Sequence, residues 1–160
     1  FVYPMGVYSN KIKNLGDLPM NAVISIPNDP SNEGRALLLL QKAGVIQLKN
    51  PKELFATPSD VAVNAKQVTL KELDAAQLSR SLPDVDAAVI NSNYAIAAGL
   101  SPIKNAIYHE GPDSLYANII VIRTNEQNDP RIKQLVAAFQ SAEVAVAAKQ
   151  IFNDQAIPAW

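Results

Sequence analysis

No stretch of this chain restricts its folding options as tightly as Ile24-Ser25-Ile26-Pro27-Asn28-Asp29-Pro30-Ser31-Asn32-Glu33-Gly34-Arg35. A β-branched, apolar strand runs into a tight Pro/Asn/Asp turn, and the Leu-rich helix Ala36-Leu37-Leu38-Leu39-Leu40 follows at once. Asp29 is the expected N-cap, Pro30 fits the first helical position, and the helix should run to Ala43 before Gly44 stops it. Such a strand–turn–helix junction aims unpaired backbone N–H groups and the positive helix end at one spot. Asn32 and Arg35 share a face of that first turn. The natural guest of this arrangement is a carboxylate or another small anion. Arginine there opposes the helix dipole unless an anion sits nearby, although the same residue also reads as a solvated first-turn arginine.

The rest of the chain alternates in the same manner. Val2 to Ser9, the apolar core Ala22 to Ile26, Val68 to Leu70, Asp86 to Ile90 and Tyr116 to Arg123 read as strands, the last of them the clearest by residue type. Val45 to Leu48 is a short strand or packed connector. Helices are expected over Val61 to Val63 (started by Thr57-Pro58-Ser59-Asp60), Ala75 to Leu82, and Ala95 to Ala98 with Gly99 as its stop. Asp129-Pro130 opens another over Arg131 to Phe139, and Ser141 to Phe152 forms the last. Strands and helices of this length in alternation predict an α/β architecture with a mainly parallel sheet.

Several function classes fall away on composition. A net charge of −1 gives no electrostatic case for nucleic acid. Without cysteine there is no disulfide, no thiolate metal site and no cysteine nucleophile, and a single histidine, His109, cannot build a multi-histidine metal centre. No apolar run reaches the roughly eighteen residues of a membrane helix. The opening Phe1-Val2-Tyr3-Pro4-Met5-Gly6-Val7-Tyr8 reads as a strand in mid-fold and not as a secretory leader.

The remaining polar candidates each carry two readings. Asn91 and Asn93 follow the strand Asp86 to Ile90, at the carboxyl end where open α/β sheets bind ligands, yet both are also good helix caps. Asn118 interrupts a strongly β-forming run, either to bond a partner or to face outward at a sheet edge. His109-Glu110 resembles half of a catalytic pair, but no nucleophile motif accompanies it and surface placement is expected. Gly34 and Gly44 form no phosphate-binding pattern. No pair of carboxylates has acid/base spacing.

Taken in order, Pro4 to Ser9, Ile26 to Leu40, Glu72 to Leu78, Asp86 to Asn91 and Tyr116 to Val121 resemble the methionine-binding lipoproteins of the NlpA/MetQ type. The resemblance implies a periplasmic-binding-protein-like (type II) α/β fold with one near-complete lobe, roughly residues 10–112. Residues 1–9 and 113–160 would be crossover strands and the C-terminal part of the other lobe. It further implies an extracytoplasmic substrate-binding protein of an ABC importer that holds methionine, or a related amino acid or dipeptide, between two lobes. Neither enzymatic activity nor a cofactor or metal is expected. Arg35 would pair with the ligand carboxylate beside Asn32, Asn93 and Asn118 would hold amino and carboxylate groups, and Tyr116 would wall the cleft. The partner is an ABC permease, and the location is the periplasm or cell surface, through a lipid-anchored N-terminal cysteine not present in this sequence. The family's N-terminal segment is expected to be missing, and apolar surface left by it would favour a dimer. A structural adaptor that kept the fold and lost the ligand is the alternative.

Overall fold

The computed structural model describes residues 1–152 and 155–160. The chain divides into two compact units, Met5–Glu110 and Phe1–Pro4 with Gly111–Trp160.

Period-2 alternation builds the sheet of the first unit. Its strands are β1 (Gly6–Tyr8), β2 (Val23–Pro27), β5 (Thr69–Leu73), β6 (Ala87–Ile90) and β7 (Tyr108–His109), ordered β5-β2-β6-β1-β7. Val7, Ile24, Ile26, Ala87 and Val89 point to one face and pack with Ala36, Leu37 and Leu40. Tyr8, Ala88 and Ile90 point to the other and pack with Leu78, Leu82, Val85 and Ala95. Both faces are therefore covered, as near-continuous apolar strands require. The sheet is mixed and not mainly parallel: β2 runs parallel to β5 and β6, whereas β1 runs antiparallel to β6 and β7. The parallel pairs are joined through helical crossovers, while β1 lies beside β6 and β7 with no such connection imposing its direction.

Helix α1 (Pro30–Lys42) follows β2 as expected, with the Asp29 side chain accepting the Asn32 backbone N–H and Pro30 in the first turn. It ends at Gly44, where φ is +76°. Gly44 N–H donates to Gln41 O and Val45 N–H to Leu40 O, at 2.9 and 3.0 Å, which satisfies the last carbonyls through a left-handed glycine. A small antiparallel pair, β3 (Gln47–Leu48) and β4 (Val61–Val63), comes next. β4 occupies the place where a short helix was expected. The Thr57-Pro58-Ser59-Asp60 signal does nucleate, but only as a 3₁₀ turn over Pro58–Asp60, and β-branched valines then extend to pair with β3. A 3₁₀ turn over Ala75–Gln77 leads into α2 (Leu78–Ser81), and α3 (Ser92–Ala97) follows β6.

In the second unit, α4 (Pro130–Phe139) and α5 (Ala142–Ile151) carry the expected caps, Asp129 and Ser141. Val2 and Ile157 exchange backbone bonds of 2.8 and 2.9 Å, and the Phe1 and Trp160 rings meet edge to face at 4.8 Å. The strand expected over residues 116–123 is not formed. Asn118 N–H donates to Phe1 O at 2.8 Å, but no ladder extends from that bond among the described residues, and Ile119 and Val121 are 78% and 81% exposed. β propensity describes a surface that fits a neighbouring strand, and this run has none in the described chain.

Candidate functional site

The polar groups singled out around α1 converge at the carboxyl ends of β2 and β6. The Asp29 carboxylate accepts the Asn32 backbone N–H and both of its oxygens accept Asn32 Nδ2, at 2.9 and 3.0 Å. This fixes the amide so that Asn32 Oδ1 faces β6, where it accepts Asn91 Nδ2 at 2.7 Å. Asn91 is the residue before α3, yet its side chain makes no cap bond. The capping reading is thus replaced by a link across the sheet edge. Asn91 Oδ1 is buried and has no hydrogen-bond partner among the described residues, an acceptor left over where an N–H donor would be welcome.

Arg35 lies one turn further along the same face of α1. Its Nε donates to Glu110 Oε1 at 2.8 Å and its Nη2 to Glu110 Oε2, a bidentate pair whose side chains are only 13% and 9% exposed. Glu110 Oε2 also accepts the Met5 N–H at 2.8 Å. Glu110 is therefore buried and not on the surface as expected, because its charge is met by a guanidinium and a backbone donor. This pair also accounts for an arginine near the start of a helix: the opposing charge is supplied within the chain, and Arg35 lies in the second turn of α1 and not in the first. His109 Nδ1 lies 2.7 Å from the Glu110 carbonyl oxygen, so the ring is engaged with backbone.

Asn93 stands on the exposed side of α3. Asn118 and Tyr116 belong to the second unit. Asn118 Nδ2 reaches Phe1 O at 3.3 Å, and the residue lines an apolar cavity of about 310 Å³ with Phe1, Ile120, Val136, Phe139 and Trp160. Tyr116 N–H donates to Ser114 Oγ at 3.1 Å. So the first unit joins Asn32 to Asn91, with Arg35 three residues further along α1, while Asn93 is solvent-exposed on α3.

Sequence reasoning overlooked Glu33. It is buried in α1, 6% exposed, with Oε1 unpartnered among the described residues, and it lies close to Glu72 of β5. Burial, then Glu72 as bond partner and charge, then the Asp29 charge push its pKa up to about 7. The signal was present: Glu33, Leu37 and Leu40 fall on one helical stripe, and the two leucines are buried. A carboxyl whose folded pKa is raised holds its proton longer in the folded state than in the unfolded chain. Its contribution is thus intact below pH 4.5 and lost as pH rises through about 7. Urea unfolding should show about 1–3 kcal/mol less stability at pH 8 than at pH 5 from this group. Glu33→Gln should remove that part of the slope.

Among the described residues no cluster suits a metal ion and no helix is long and apolar enough to cross a membrane. The site is thus a mixed α/β sheet with paired amides and an arginine near the carboxyl ends of its strands, which is where open α/β sheets take their ligands. The NlpA lipoprotein family matches residues 1–160, and the chain belongs to that family. It is 45% identical over 160 residues to the probable D-methionine-binding lipoprotein MetQ of Pasteurella multocida, covering 100% of this chain and 58% of that protein. A periplasmic substrate-binding protein of an ABC transporter from Coxiella burnetii is 60% identical with a TM-score of 0.81, over 99% of this chain and 67% of that one. A methionine-bound nutrient-binding protein from Burkholderia cenocepacia is 50% identical with a TM-score of 0.80, again over 99% and 67%. The chain thus has the fold of periplasmic substrate-binding proteins and spans about three fifths of the length of the curated relatives it matches.

Proposed function

We propose that the protein carrying this chain is an extracytoplasmic substrate-binding protein of an ABC importer and that it binds methionine or a closely related amino acid or dipeptide. The observation that carries this reading is the set Asn32, Arg35 and Asn91 gathered at the start of α1, in a family with a methionine-bound member. A zwitterion needs charge-assisted donors for its carboxylate and acceptors for its ammonium. Arg35 and the α1 N-terminus supply the first, with Asn32 beside them. The buried Asn91 Oδ1 adds an acceptor to those that sequence reasoning had assigned to Asn93 or Asn118. Asn93 and Asn118 remain proposed ligand contacts, and Tyr116 a proposed wall of the site. Lipid anchoring at the periplasmic or cell surface and delivery to a membrane permease complete the proposal. The adaptor alternative finds no support in the relatives.

Calorimetric titration of L-methionine into the protein, with glycine and leucine beside it, tests the reading. Saturable heat with methionine and none with glycine is the expected result. No heat with methionine overturns it.

A further inference from the structure

The side-chain amides at the start of α1 are joined in one direction only, and Asp29 sets that direction. A carboxylate accepts hydrogen bonds and donates none. Both Asp29 oxygens hold Asn32 Nδ2, at 2.9 and 3.0 Å, and one of them also takes the Asn32 backbone N–H at 3.1 Å. The Asn32 amide therefore turns its oxygen away from Asp29, and that oxygen accepts Asn91 Nδ2 at 2.7 Å. Asn91 is thereby turned in the same sense, with its nitrogen engaged and its oxygen left over among the described residues. Nor does α3 claim that side chain. The first N–H groups of α3 to be met, those of Tyr94 and Ala95, go to the Asn91 carbonyl oxygen at 3.1 and 3.0 Å, and the side chain makes no cap bond. Were both amides reversed, the same spot would show an N–H in place of an oxygen. A buried acceptor of this kind costs free energy until a donor reaches it.

We infer that Asp29 is a positioning residue of the binding site, which through Asn32 keeps the Asn91 oxygen, and not its N–H, for the ligand and so makes the site prefer amino acids to the matching hydroxy acids. An ammonium donates with its full positive charge, whereas a hydroxyl donates without one and accepts as readily. The inference rests on the methionine reading and adds a residue whose own two oxygens are taken up by Asn32. Asp29 thus acts on the ligand only through the two amides.

The test titrates L-methionine and its α-hydroxy analogue, in which a hydroxyl replaces the ammonium, into the unsubstituted protein, Asp29→Asn, Asn91→Ala and the double variant. Asparagine keeps the size and the capping ability of aspartate. It turns either an oxygen or an N–H toward Asn32, so the direction of the two amides is no longer fixed. The expected result is a fall of roughly tenfold in methionine affinity with the hydroxy acid changed less than about twofold, so that the ratio of the two falls at least about fivefold. In the Asn91→Ala background the same Asp29 change should cost methionine less than about twofold, because its effect passes through that amide. Asp29→Ser also caps a helix, and its hydroxyl donates as well as accepts, so it should show the same fall in ratio should the asparagine variant fold poorly. Equal losses for both ligands, an unchanged methionine affinity in Asp29→Asn, or an undiminished loss without the Asn91 amide would overturn the positioning role. Absence of methionine binding by the unsubstituted protein overturns the site reading and this role with it, whereas normal binding by Asp29→Asn overturns this role alone.

Discussion

Arg35→Ala is expected to weaken methionine binding by about 2–5 kcal/mol, as loss of one member of a buried charge pair does. Titration calorimetry reads that directly, and unchanged affinity would remove Arg35 from the site. The same substitution should lower folding stability by about 3–5 kcal/mol, because the Glu110 carboxylate stays behind in a nearly closed environment with one backbone donor. The two effects separate in Arg35→Met with Glu110→Gln. Methionine fills the space of the arginine stem, and glutamine carries no charge while still accepting the Met5 N–H. Chemical denaturation should show most of the stability restored. Ligand affinity should stay low, since no guanidinium faces the carboxylate.

The second large effect is expected at Gly34. A Cβ built there would overlap the Leu54 carbonyl oxygen and lie 2.8 Å from the Leu54 carbonyl carbon. These are backbone atoms, which cannot turn aside as a side chain does. Either the 54–55 segment or the first turn of α1 must move. Gly34→Ala should therefore cost about 3 kcal/mol in urea unfolding. It should also reduce ligand affinity, since Asn32 and Arg35 flank Gly34 in the part of α1 that would shift. A variant as stable as the parent would show that this close approach is not required.

The glycine at position 34 illustrates how much of the site was legible. Asn-Asp-Pro-Ser-Asn-Glu-Gly-Arg spelled out a capped helix start, and α1 begins and ends where its cap, proline and glycine say. Those signals work because every partner lies within a few residues. The reason for Gly34 itself was invisible, since the carbonyl that excludes a side chain comes from a loop twenty positions on. Asn91 was read as a cap because capping is its commonest local use, yet its amide bonds Asn32, 59 residues away. Val61 to Val63 and the run 116–123 show the reverse error: local preference was read as structure without knowing whether a partner strand was present.

What the residues determined unaided was the α/β class, most of the order of elements and the capped start of α1. Capping, proline geometry and apolar periodicity act between near neighbours, and so they are written in the chain. Tertiary structure alone decided that the sheet is mixed, that Glu33 is buried against Glu72, and that Arg35 is clamped by Glu110. Each of these is a choice among distant partners, settled by which polar groups lose water together and must satisfy one another.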